Sequence, residues 1–265
     1  MRQGGRSSIA RAAAVLVAVF CLISLAAERT AAEQTQRGTL VSALDGELRP
    51  LALPRDHLAP VALRLEGRLR TSEDSLLSRV TKLEIGLPSQ GVLSTRGLPI
   101  CPPELLRDTK MAEALASCGR ALVGSGALSA VIPLPGQDPF LVHARLLAFN
   151  ARIGSRRALL LHAATLNPPT SSVLPLVVRR GSGRFATALV GRVSAALGPW
   201  PRLQRFEITL FRRYRYRGAR RSYLSASCPI PQALTAGFFS FARASYSFAG
   251  GGQIATAIAR GCRAL

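Results

Sequence analysis

The residues with the clearest chemical capacity are arginines in one stretch, RFEITLFRRYRYRGARRSYLSASC, from Arg205 to Cys228. Arg212, Arg213, Arg215, Arg217, Arg220 and Arg221 crowd together, with Tyr214 and Tyr216 between them. A guanidinium is a planar fork of donors that matches phosphate and carboxylate oxygens. Aromatic rings set among arginines can stack on bases or sugars. The pattern therefore points to binding of an anionic polymer or surface. The competing reading is a solvated strand face whose tyrosines belong to the core.

Other chemistries lack material. Glycoside hydrolysis needs two carboxyl groups in one cleft, and hard-cation sites need several oxygen ligands. Only Glu207 is acidic between Pro139 and Leu265. His143, in FLVHARLL, and His162, in LLLHAAT, lie in apolar strand patterns, as packed histidines do. No G-x-S-x-G elbow is present. Gly124-Ser125-Gly126 is not followed by a phosphate-binding lysine, and Gly181-Ser182-Gly183 reads as a turn. No cofactor or metal is expected, and a hydrolase remains the weakest alternative.

The elements that would carry these arginines are strands. Phe206, Ile208 and Leu210, then Tyr214 and Tyr216, share one parity, and Arg205, Glu207, Thr209, Arg213, Arg215 and Arg217 share the other. That alternation predicts a half-buried strand over Arg205–Arg217, with a slip near Phe211-Arg212, a turn at Gly218-Ala219 and a returning strand over Tyr223–Cys228. Further strands are predicted over Val80–Gly86, Phe140–Phe149, Arg156–Ala163, Val173–Arg179, Phe185–Val193, Phe238–Phe248 and Gln253–Cys262. Gly, Pro, Asn and Ser punctuate them. Pro60–Arg70 alternates Val61, Leu63, Leu65 and Gly67 against Arg64, Glu66, Arg68 and Arg70. Glu33 to Asp45 reads as a loose N-terminal arm. The helix candidate is Pro102–Cys118, opened by Pro103 and Glu104. The expectation is an all-β fold, a mainly antiparallel sandwich or barrel-like sheet with one short helical insertion.

Charge and address come next. The chain has 265 residues and a formal net charge of +21, from 35 Lys and Arg against 14 Asp and Glu; only Lys82 and Lys110 are lysines. From Glu33 to Asp138 ten Arg and two Lys face twelve acids, whereas from Pro139 onward nineteen Arg face Glu207 alone. Arg2, Arg6 and Arg11 precede an uncharged apolar run from Ala12 to Ala27, with small-residue cleavage points after Ala26 or Ala32. This is the form of a secretory signal, residues 1–32, with an uncleaved anchor as the alternative. The run is shorter than the roughly 20 residues that span a bilayer. Cys21 would leave with the signal. Cys101, Cys118, Cys228 and Cys262 then remain, an even number that suggests two disulfides in an oxidising compartment. Three connectivities are open, and the sequence-local pairing, Cys101–Cys118 with Cys228–Cys262, is favoured. A straight helix over Pro102–Cys118 would hold the first pair too far apart, so that pairing predicts a break near Arg107-Asp108-Thr109.

Several motifs carry a resemblance: GLPICPP, ASCGRALVGSG, LLAFNAR, RRSYLSASCP and FARASYSFAGG, with the closing cysteine. Together they resemble a set of secreted actinobacterial proteins that has no assigned function. The resemblance implies export, a cysteine framework and a single unit over nearly all of the mature chain, and it implies no activity. The expectation is one secreted or cell-envelope β domain over residues 33–265. Its leading role is non-enzymatic binding of anionic polymer or surface, with a structural envelope role as the alternative.

Overall fold

The computed structural model describes residues 32–265. Strands dominate because most segments alternate apolar and polar residues. In chain order they are β1 (Glu33–Arg37), β2 (Leu40–Arg49), β3 (Ala52–Leu53), β4 (Ala59–Pro60), β5 (Ala62–Thr71), β6 (Val80–Leu87), β7 (Gly91–Leu93) and β8 (Leu122–Ile132). The second half adds β9 (Phe140–Ile153), β10 (Arg156–Thr165), β11 (Ser171–Ser182), β12 (Phe185–Arg192), β13 (Arg202–Leu210) and β14 (Arg213–Tyr216). It ends with β15 (Ala219–Ser222), β16 (Leu224–Ala226), β17 (Ala236–Phe248) and β18 (Gln253–Ala264). The helices are α1 (Met111–Cys118) and the five-residue α2 (Val193–Leu197).

One sheet takes 13 strands in the order β1-β2-β5-β13-β8-β9-β10-β11-β12-β6-β17-β18-β3. Each pairing is antiparallel except the short β18–β3 contact. Strands from both sides of residue 139 alternate in it: β13 sits between β5 and β8, and β6 between β12 and β17. The basic second half is therefore not a separate layer.

The sheet rolls up so that one face of nearly every strand points inward. Leu63 and Leu65 of β5, Leu83 and Ile85 of β6, Leu159 of β10, Leu176 of β11, and Phe206 and Ile208 of β13 are buried in one apolar core. The roll closes through side chains. Thr256 Oγ1 of β18 donates to Ser42 O of β2 at 3.1 Å. The buried Arg260 donates to Gly46 O at 2.7 Å and to Asp45 Oδ1 at 2.7 Å. A large curled antiparallel sheet with one short helical insertion is the expected class.

The insertion lies between β7 and β8. A single 3-10 turn, Pro103–Leu106, is followed by Asp108 at φ 54°, and α1 starts afresh at Met111. The break lets Cys118 return to Cys101, with a Cα separation of 5.4 Å. Cys228 and Cys262 form the second disulfide at 5.9 Å. Both are within the range a disulfide spans. Cys101, Cys118, Leu106 and Ala114 pack on Leu147, Phe149, Ala158 and Leu160, which project from the outer face of β9 and β10.

Three expectations need correction. Glu33–Asp45 is not a loose arm: β1 and β2 form a hairpin there, and Ser42, Leu44 and Gly46 face inward. Gly46 packs close in the wall: a Cβ there would lie 2.4 Å from the Phe241 ring. Arg205–Arg217 is not one strand: β13 ends at Leu210, and β14 pairs in a separate sheet. The partner of β14 is Ala219–Ser222, not Tyr223–Cys228; only Leu224–Ala226 of that segment is strand, between β4 and β7. The secretory signal and Cys21 lie outside the described residues.

Candidate functional site

At Phe211-Arg212 the chain leaves the rolled sheet and forms the β14–β15 hairpin. Arg213 pairs with Ser222, Tyr214 with Arg221, Arg215 with Arg220 and Tyr216 with Ala219. The turn is the two-residue Arg217-Gly218, one position earlier than expected, with φ of 50° and 76°. Positive φ at both central residues is the type I′ geometry whose twist suits a tight hairpin. Gly218 meets that need without a steric cost; Arg217 is carried by the turn and so leaves the row formed by Arg213 and Arg215. At the base, Tyr223 N–H donates to Arg212 O at 2.8 Å, and Ser222 Oγ donates to the same oxygen at 3.2 Å.

The tyrosines seat the hairpin on the loop after β7. Tyr214 Oη donates to Arg96 O at 2.8 Å. The Tyr216 ring lies where a Cβ on Gly97 would fall, at 2.2 Å. Both rings are half-buried, less enclosed than alternation with a continuous core strand implied. Arg217 stacks over Tyr216, 5.4 Å from the ring centre.

Arg213, Arg215, Arg217, Arg220 and Arg221 are exposed. None takes part in an ion pair among the described residues. Arg212 differs: it is partly buried, its Nη2 reaches Arg120 O at 3.5 Å, and its Nε has no partner. Arg215 and Arg220 stand directly opposite each other, a like-charge arrangement that costs stability in a sheet.

The sheet wall uses the acids differently. Asp45, Glu66 and Glu207 stand in one cross-strand row on β2, β5 and β13. Arg64 stands in the row on one side of them, and Arg68 and Arg205 in the row on the other. The buried Glu66 accepts from Arg64 at 2.8 Å, Arg68 at 2.7 Å and Arg205 at 2.9 Å. Glu207 accepts from Arg64 at 2.8 Å and Arg205 at 3.2 Å. Burial alone would raise the Glu66 carboxyl, but its hydrogen bonds from Arg68 and Arg205 hold it below the usual glutamate range. Glu207, the lone acid of the second half, is thus occupied by Arg64 and Arg205.

The histidines separate. His143 is exposed on β9, and His57 is exposed beside Asp56. His162 is fully buried under the insertion, where Nε2 donates to Thr109 O at 2.9 Å and Nδ1 has no partner. Burial lowers its pKa against the opposing effect of that hydrogen bond. Among the described residues its hydrogen-bond contacts are with Thr109 and none is with an acid, so no orienting carboxylate of a catalytic triad is seen there. Among the described residues, no group of three or more His, Cys, Asp or Glu is placed to hold a metal ion. No described helix is long and apolar enough to cross a membrane.

No protein-family model and no curated protein matches the chain. Among solved structures, the Iho670 flagellar-like filament aligns over 94% of this chain and 94% of its own, at 9% identity and a TM-score of 0.22. A likeness of that size carries no argument about fold or function.

Proposed function

We propose that the protein is an exported, non-enzymatic binder of anionic polymer or of an anionic envelope surface, and that it binds through the β14–β15 hairpin. One observation carries the reading: five exposed arginines stand on a short hairpin outside the rolled sheet, with no carboxylate partner among the described residues, and two of them are directly opposed. A polyanion laid across them would relieve that repulsion and release its own counterions. Two tyrosine contacts seat the hairpin on the body, so the charges are presented in a fixed arrangement rather than on a loose arm. The two disulfides are compatible with an oxidising, extracytoplasmic location.

Single-stranded DNA is a suitable polyanion probe because its salt dependence is well defined. Replacing Arg213, Arg215 and Arg220 with serine removes three charges and leaves the Arg217-Gly218 turn in place. The expected result is weaker binding, with a slope of log affinity against log salt that is shallower by about 2. Melting should be unchanged. Equal binding by variant and parent at low salt would eliminate the hairpin as the site and leave a structural envelope role.

A further inference from the structure

Part of the outer face of the rolled sheet is apolar. A sheet face open to water ordinarily carries polar residues, as β5 does with Arg64, Glu66 and Arg68. On β11 and β12 the outward positions Val173, Pro175, Val177 and Val190 are apolar and half-buried, while Leu174, Leu176 and Leu189 point into the core. The four outward residues floor an open groove of about 790 Å³, a size within the range of small-molecule sites. Ala195 and Ala196 of α2 border one end, and Gly181-Ser182 at the end of β11 borders the other. From Val173 to Arg179 the floor runs six residues, about 20 Å by the strand rise.

The rim is cationic. Lys82, Arg179, Arg180, Arg192 and Arg243 line the groove with one carboxylate, Glu84. That carboxylate is engaged: Oε2 accepts from Lys82 Nζ at 3.0 Å, and Oε1 lies 3.6 Å from Arg243 Nη2. Arg179, Arg180 and Arg192 are exposed and enter no ion pair among the described residues. Register puts two of the cations at the ends of one cross-strand row, Arg179–Ala188–Gly86–Arg243. Phe185 lies over Gly86, 3.2 Å from where a Cβ would fall, and Arg243 stacks on the Phe185 ring, 5.1 Å from its centre. Only the methyl of Ala188 then separates Arg179 from that stack. Arg243 Nε is buried and has no hydrogen-bond partner among the described residues. The adjacent row begins with the apolar pair Val177–Val190. A seat for an acidic group therefore lies directly beside the apolar floor.

We infer that this groove binds a small amphipathic anion: a planar aromatic body bearing one carboxylate or sulfonate, its acid between Arg179 and Arg243 and its rings on Val177, Val190 and Pro175. The guanidinium fork matches the oxygens of the acid and stacks on aromatic faces. The pleated floor is broad and shallow, which suits a flat body. A polyanion has no apolar body for the floor to cover, and a neutral ring compound would leave the cations without a counter-charge. The groove lies on β6, β11 and β12 with Arg243 of β17, and none of these strands pairs with the β14–β15 hairpin. It is a second site, beyond the polyanion reading.

The test uses anilinonaphthalene sulfonate, whose fluorescence rises when its rings leave water, with naphthoate as competitor. The protein should bind the probe saturably at one site, and naphthoate should displace it. Naphthol, which has the rings without the charge, and inorganic sulfate, which has the charge without the rings, should each compete at least tenfold less well. Val177→Glu sets a carboxylate on the floor and should weaken binding about tenfold or more. Arg179→Gln removes one charge at an exposed position and should weaken it severalfold; thermal melting reports that both variants are native, and Arg179→Gln serves alone if Val177→Glu folds poorly. The variant with Arg213, Arg215 and Arg220 replaced by serine should bind the probe as the parent does, although its binding to single-stranded DNA falls. That keeps failure of this inference distinct from failure of the polyanion reading. Four outcomes would overturn it: no saturable fluorescence; parental affinity in the natively folded groove variants; naphthol or sulfate competing as well as naphthoate; or loss of probe binding in the hairpin variant, which would place the probe on the hairpin.

Discussion

Arginine occupies two regions of this protein in opposite ways. On the outer wall of β5 and β13, Arg64, Arg68 and Arg205 converge on Glu66 and Glu207. On the hairpin, Arg213, Arg215, Arg220 and Arg221 are exposed and pair with no acid among the described residues. The difference comes from register. Three acids fall in one row because Asp45 pairs with Glu66 and Glu66 with Glu207. Arginine on the flanking rows converts a repulsive row into an ionic lattice. The hairpin has no such row, since β14 pairs only with β15 and neither contains an acid. The same residue type thus closes a wall in one place and stays available in the other.

The largest test of the contrast is Glu66→Gln. Glu66 is buried and accepts from three guanidinium groups. Removing its charge leaves three arginines crowded around a neutral amide. The expected cost is about 2–3 kcal/mol, read as a drop of several degrees in melting temperature. The serine variant of the hairpin arginines should stay within about 0.5 kcal/mol of the parent. The pH dependence has a definite sign. The folded carboxyl titrates below the unfolded one, so its contribution is fully present above the ordinary glutamate range. It is lost as pH falls through the lowered folded value. Glu66→Gln should therefore melt with less acid sensitivity than the parent. Equal acid sensitivity in the two proteins would show that the lattice does not hold Glu66 in its charged form.

Much of the fold was legible, because local patterns fix it. The alternation of Leu63, Leu65 and Gly67 against Arg64, Glu66 and Arg68 marks β5 directly. The geometric misfit of a straight helix between Cys101 and Cys118 points to the break that Asp108 makes at φ 54°. The ionic lattice was not legible, since Glu66 and Arg205 are 139 positions apart and only the β5–β13 register joins them. The end of β13 was only half legible. Phe211 and Arg212 signalled a slip, but alternation resumes at Tyr214, and nothing local distinguishes a bulge from an exit into a second sheet.

A smaller effect is expected where the hairpin meets the body. Gly97 has φ +84°, and a Cβ there would sit 2.2 Å from the Tyr216 ring. Gly97→Ala must shift the ring and strain the backbone, at about 1–2 kcal/mol. The loss should be local. Hydrogen exchange should quicken over Arg213–Ser222 while the wall around Glu66 keeps its protection. Binding to single-stranded DNA should weaken with all the arginines still present, because the charges would no longer be held in place. If exchange quickens equally in both regions, the hairpin and the wall are one cooperative unit, and the contrast between them is one of charge alone.

The smallest expected effect has the opposite sign. Arg215 faces Arg220 across the hairpin, and like charges at directly opposed positions repel. Arg215→Glu replaces that repulsion with an attractive pair between two exposed side chains. The gain should be about 0.5 kcal/mol, within the usual range for cross-strand pairs, and it should shrink in high salt because both groups are screened. Polyanion binding should fall, since one positive charge is lost, a negative one is gained, and Arg220 is drawn away from the ligand. A hairpin selected for stability alone would have had this easy improvement open to it. The proposed function requires stability and binding to move in opposite directions in this one variant. If Arg215→Glu stabilises the hairpin and leaves binding to single-stranded DNA intact, the opposed arginines are not the contact, and the solvated-face reading of these residues is the better one.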